Sequence, residues 1–118
     1  MTITLKIADK ELKCSLGLMF LGEFLDVVDM TLEEVGEKMG KNPFKLLPKM
    51  VYTSAKVEAE LNDEDFGMTL KELVGLIEKD GGIASPAMTL FVNAWTKSML
   101  AGVPEEESAE EGGEKAKK

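Results

Sequence analysis

The apolar pattern of this chain changes period between Leu16 and Leu18, and that change dictates two kinds of structure in a fixed order. From Thr2 to Ile7, the residues Ile3, Leu5 and Ile7 alternate with Thr2, Thr4 and Lys6, the two-residue period of a half-buried strand. Leu12, Cys14 and Leu16 then share a face opposite Glu11, Lys13 and Ser15, and the polar Ala8-Asp9-Lys10-Glu11 stretch between the runs closes a turn. An antiparallel hairpin with one apolar side is marginally stable alone, so the helices that follow must cover it. The fold class expected is therefore α+β: an N-terminal β-hairpin packed on a bundle of about five α-helices.

Helical spacing begins at Leu18, where Leu18, Leu21, Leu25 and Val28 recur at intervals of three and four with Phe20, Phe24 and Val27 beside them. This first helix reads as wide-faced and buried. Thr31-Leu-Glu-Glu34 and Thr69-Leu-Lys-Glu72 both have capping-box spacing, in which the threonine hydroxyl and the glutamate each satisfy a free backbone amide. Met30 with Val35 and Met68 with Leu73 stand where hydrophobic staples require apolar residues. The shared Met-Thr-Leu-x-Glu pattern supports a reused helix start better than a duplicated domain.

Asn42-Pro43 opens another helix with proline at its first position. Pro48 removes a backbone bond and clashes with the preceding turn, which predicts a short turn over 43–47 and a main helix from Pro48 or Lys49 to about Leu61. A loop over 62–67 leads to a fourth helix from about Leu70 to Lys79, stopped by Asp80-Gly81-Gly82. Ser85-Pro86 opens the fifth, which reaches Leu100 or Ala101 before Gly102 and Pro104. Residues 104–118 contain six glutamates, three lysines and no large apolar residue, so they cannot recover the entropy of folding. The expected division is one α+β domain over 1–103 and a disordered acidic tail over 104–118.

Composition narrows the chemistry. The 118 residues carry a net charge of −8 and include no histidine, arginine or glutamine. Without histidine there is no ordinary neutral-pH base, no imidazole metal ligand and no Ser-His or Cys-His pair. Without arginine there is no planar fork for phosphate or guanine, and the negative charge repels a nucleic-acid backbone. Cys14 is the only cysteine, so no internal disulfide and no zinc spacing exist; on the apolar strand face it reads as a buried, inert thiol. The most apolar stretch, Leu16 to Leu25, is too short to span a bilayer and follows no basic segment, so neither a membrane span nor a secretory leader is expected. A non-catalytic cytoplasmic protein, without cofactor, metal, nucleic acid or membrane, is the expectation.

Asn62-Asp63-Glu64-Asp65 invites a calcium-loop reading, but alignment on Gly67 puts Phe66 at a ligand position and Leu73 where a bidentate glutamate should close the site. A solvated loop accounts for it better. The eight methionines suit either core gap-filling or an adaptable binding surface. In the closing helix Met88, Phe91, Val92, Trp95 and Met99 form one stripe, and Ala87, Leu90, Ala94 and Ala101 form a second. A bundle helix needs one buried stripe, so this helix is either central or presents one stripe to a partner or a second copy. Candidate partner-binding residues are accordingly Met88, Phe91, Val92, Trp95, Met99, Leu90 and Ala94.

The order of elements resembles a known family. A two-stranded start with a lysine-bearing turn (residues 3–16), a first helix ending near Asp29, a helix around Leu46 to Ala55, a Met68-Thr-Leu-Lys-Glu-Leu73 helix and a closing helix with Phe91-Val-Asn-Ala-Trp95 are similar to the small tail assembly chaperones of long-tailed bacteriophages. The resemblance spans about residues 2–101 and rests on the pattern of elements, without a diagnostic motif. It implies a protein of the infected cell's cytoplasm, absent from the mature virion, that coats the aggregation-prone tape measure protein until tail tube protein polymerises around it. It also implies self-association in some members, and in some a longer form made by ribosomal frameshifting. The rival readings are a structural tail or head-tail connector subunit and, in another class, a carboxylate-based metal-dependent enzyme centred on Asp63 to Asp65.

Overall fold

The computed structural model describes residues 2–101, with the side chains of residues 99–101 excluded; the expected tail over 104–118 lies outside this range. Strands β1 (Thr2–Ile7) and β2 (Lys10–Ser15) pair antiparallel, with Ile3 opposite Cys14, Leu5 opposite Leu12 and Ile7 opposite Lys10. The register sends Leu5, Ile7, Leu12 and Cys14 inward and pairs Lys6 with Glu11 across the other face, where opposite charges stabilise neighbouring strands.

The turn is tighter than the four polar residues suggest. Lys10 and Glu11 belong to β2, leaving Ala8 and Asp9 as a two-residue connection with Ala8 at φ 57°. An alanine in the left-handed region meets a Cβ clash that glycine escapes. Ala8→Gly is therefore expected to stabilise the fold by about 1 kcal/mol, read as a higher urea midpoint; an unchanged or lower midpoint contradicts the strain.

Five α-helices follow: α1 (Leu18–Val28), α2 (Leu32–Lys41), α3 (Pro43–Leu61), α4 (Leu70–Lys79) and α5 (Pro86–Ala101). Both capping boxes form in full. Thr31 Oγ1 accepts from the Glu34 amide at 3.1 Å and Glu34 Oε1 accepts from the Thr31 amide at 2.8 Å, and Thr69 with Glu72 repeats the pair at 3.1 and 2.9 Å. Asp29 ends α1 in the left-handed conformation, φ 55° and ψ 50°. Between α4 and α5 a single 3-10 turn, Gly82–Ala84, is entered through Gly81 at φ 116° and begins on Gly82 at φ 80°, values that explain why the break is Gly81-Gly82.

Two expectations are corrected. No separate turn precedes Pro48: α3 runs unbroken through it, with Asn42 Oδ1 accepting from the Phe44 amide at 3.3 Å. Leu46, Leu47, Pro48 and Met50 are all buried around the proline. Burying each leucine contributes about 1.5–3 kcal/mol, which offsets the roughly 3 kcal/mol that an interior proline costs. The first helix, second, is not buried around a wide face. Only Phe20 and Phe24 are enclosed, whereas Leu18, Met19 and Val27 face solvent.

One core takes residues from both strands and all five helices. α3 is its axis, packing against β2, α1, α2 and α4, while α5 closes over β1. Phe20, Phe24 and Phe91 join α1 to α5, stacked at 5.9 Å (Phe20 to Phe24) and edge-on at 6.4 Å (Phe20 to Phe91). Two hydroxyls tie down the strand-to-helix link: Ser54 Oγ donates to the Ser15 carbonyl at 2.6 Å and Ser98 Oγ to the Leu16 carbonyl at 3.0 Å. These bonds satisfy carbonyls that would otherwise be costly to leave unpaired.

Candidate protein-docking surface

The fold sorts the closing-helix candidates into two groups. Met88, Phe91 and Ala87 are core residues, the first two with no exposed surface, so they hold α5 on the hairpin and on α1 and are not accessible to a partner. Val92, Ala94 and Trp95 are half-buried against that core, and Leu90 is exposed. The Met99 side chain lies outside the described residues. The stripe that α5 buries is thus the one beginning at Met88 and Phe91, and the accessible remainder is Leu90 with the outer edges of Val92, Ala94 and Trp95. Trp95 Nε1 is enclosed without a hydrogen-bond partner among the described residues.

Most of the open apolar surface lies elsewhere. Leu18 is 88% exposed, Phe44 68%, Val27 59% and Met19 55%, and three of these four belong to α1. They escaped the sequence reading because an 11-residue helix with eight large apolar side chains offers more nonpolar surface than one bundle face can bury. Its acidic residues, Glu23 and Asp26, sit on the exposed arc with Met19 and Gly22, which was the available signal for which side faces water.

Beside this face α1 and α2 diverge into an open groove of about 530 Å³, floored by Leu25 and Met30 and rimmed by Asp26, Asp29 and Glu34. Gly22 forms part of the α1 wall, and a Cβ built there meets nothing within 4 Å. A second depression of about 490 Å³ shares Met30 and Glu34 and continues along α2 to Lys38 and Lys41. α2 leaves this space open because Val35 is its one fully buried residue among the described side chains.

The other residues with chemical potential are placed plainly. Cys14 is fully buried, and burial pushes its thiol from 9.0 up to about 12, with the Glu58 charge adding to the rise and a hydrogen bond with Ser54 opposing it. A thiol held protonated in this way is a poor nucleophile. The Asp63 to Asp65 loop adjoins a polar cleft of about 460 Å³ between β2 and α3, where the Asn62 amide already donates to the Glu58 carboxylate at 2.7 Å. Among the described residues no three His, Cys, Asp or Glu side chains gather as a metal-binding group. No helix among the described residues is long and apolar enough to cross a membrane. No family model matches the chain, and neither a curated protein nor a solved structure matches it.

Proposed function

We propose that this protein is a non-catalytic tail assembly chaperone of a long-tailed bacteriophage, which binds the tape measure protein and assists tail tube assembly in the host cytoplasm. The observation that carries the reading is the large apolar side chains left in water by a domain whose core is already closed, chiefly Leu18, Met19 and Val27 on α1. Nonpolar surface that the fold does not use is available to another chain. Methionine at position 19 adds a side chain that adapts to varied partners. The charge of −8 supplies solubility to a molecule carrying such surface. The phage setting itself comes from the order of elements and from the aromatic closing helix.

Co-expression with a phage tape measure protein tests this directly. The expected outcome is a soluble client that migrates with the chaperone in gel filtration, together with loss of that complex in a Leu18→Glu/Met19→Glu double variant. An insoluble client with or without the protein overturns the reading, as does recovery of many copies of this chain from purified virions by mass spectrometry.

A further inference from the structure

We infer that the groove between α1 and α2 receives a basic amphipathic helix, with the apolar face of that helix on Leu25 and Met30 and its lysines or arginines against Asp26, Asp29 and Glu34. This names the place and the chemistry of client binding and rests on the chaperone reading above. Shape comes first. Leu18, Gly22, Leu25 and Asp29 fall at intervals of four, three and four, so they run in one line along α1. The missing side chain at Gly22 opens the middle of that line, with nothing within 4 Å of the position a Cβ would take. From Gly22 to Asp29 the lining of the α1 side runs for about 10 Å, matching roughly two turns of a docked helix.

Charge then selects the occupant. α1 contains Glu23 and Asp26, ends on Asp29 and has no basic residue, and Glu34 faces it across the groove. A second copy docked through this face would set these carboxylates against their own counterparts, which is repulsive. The 104–118 segment of this chain is also a poor occupant, because it brings six further glutamates and no large apolar residue for the Leu25 and Met30 floor. A segment with one apolar stripe and flanking cations satisfies both floor and rim. Along α2 the adjoining depression mixes Glu34 and Glu37 with Lys38 and Lys41, so the preference for cations is confined to the Asp26, Asp29 and Glu34 rim.

The test uses the full chain and two synthetic helical peptides with the same leucine stripe, one flanked by lysines and the other by glutamates, titrated by fluorescence anisotropy. The lysine peptide is expected to bind at least about tenfold more tightly than the glutamate peptide, with the difference shrinking as salt screens the charges. Gly22→Lys fills the groove and places a cation in it, yet has open space and a better helix former than glycine, so the fold is retained. It and Asp26→Lys should each weaken the lysine peptide about tenfold, whereas Glu78→Lys on α4, with the same change in net charge as Asp26→Lys, should not. Equal affinity for both peptides, indifference to Gly22→Lys, or a homodimer in sedimentation velocity that Gly22→Lys abolishes each overturns the assignment. If the wild type binds the lysine peptide with these sensitivities but leaves a tape measure protein insoluble, the chaperone reading fails and the groove stands. If Gly22→Lys protects the tape measure protein as well as the wild type does, the groove fails and the chaperone reading stands.

Discussion

Replacing Phe91 by alanine is expected to lower the free energy of unfolding by about 3–5 kcal/mol, measured by urea titration followed by circular dichroism. The ring has no exposed surface and meets Phe20 edge-on at 6.4 Å and 87°. Truncation removes the transfer energy of a whole aromatic ring and leaves a hole where α5, α1 and the hairpin meet, a place that three separate elements cannot collapse to fill. A domain of this size typically has about 5–15 kcal/mol in total, so the variant should lose a large share of its stability and unfold at a much lower urea concentration. Leu90→Ala, one residue earlier on the same helix, should cost well under 1 kcal/mol, because Leu90 is 48% exposed. Similar losses at the two positions would mean that α5 is not seated as described. The contrast also bears on tests of the proposed function: impaired binding in a Phe91 variant would report loss of the fold, and only variants of exposed residues would report on the proposed docking surface.

The second large effect depends on pH. Below about pH 9 the Cys14 thiol is protonated in both the folded and unfolded chain, and it contributes nothing to the pH dependence. Above that, the unfolded chain releases the proton while the buried thiol, pushed up to about 12, keeps it. The folded state then binds more protons than the unfolded one, so stability falls as pH rises, by about 1.4 kcal/mol per pH unit. The loss from this one group amounts to about 4 kcal/mol by the time the folded thiol ionises. Cys14→Ala removes the slope at the cost of a small cavity, roughly 1 kcal/mol at neutral pH. The wild type should therefore be the more stable protein at pH 8 and the less stable one at pH 11. The two proteins differ at this one position, so the comparison isolates the thiol. A difference that stays constant from pH 8 to pH 11 would show that Cys14 is hydrated.

What could be read from the sequence was what local chemistry decides. The hairpin follows from alternation over two six-residue runs, and the starts of α2 and α4 follow from threonine and glutamate three positions apart, bonds that form within one turn. Position within the fold was less legible. Pro48 predicts a break on its own terms, and the helix persists because the side chains around it are buried in a core to which other elements, β2 and α1 among them, contribute. The two stripes of α5 are equivalent on a helical wheel; contact with β1 and Phe20 makes the Met88 and Phe91 stripe the inner one. In α1 an excess of apolar residues hid which of them were surplus. Gly22 and the absence of lysine from a helix bearing Glu23 and Asp26 were the legible traces of a face kept open, but the groove itself exists only once α2 diverges from α1.

The bond from Ser98 to the Leu16 carbonyl spans 82 positions, and α5 closes over β1, the first described strand. During synthesis, then, the hairpin leaves the ribosome long before the helix that seals it. Nucleation by α1, α3 and β2 can proceed early, but the final closure must await emergence of residues 86–98 from the exit tunnel. Until then the nascent chain exposes Leu5, Ile7 and Phe20 and is itself a candidate for assistance by the cell's folding machinery, a dependence that full-length refolding in a test tube would not reveal.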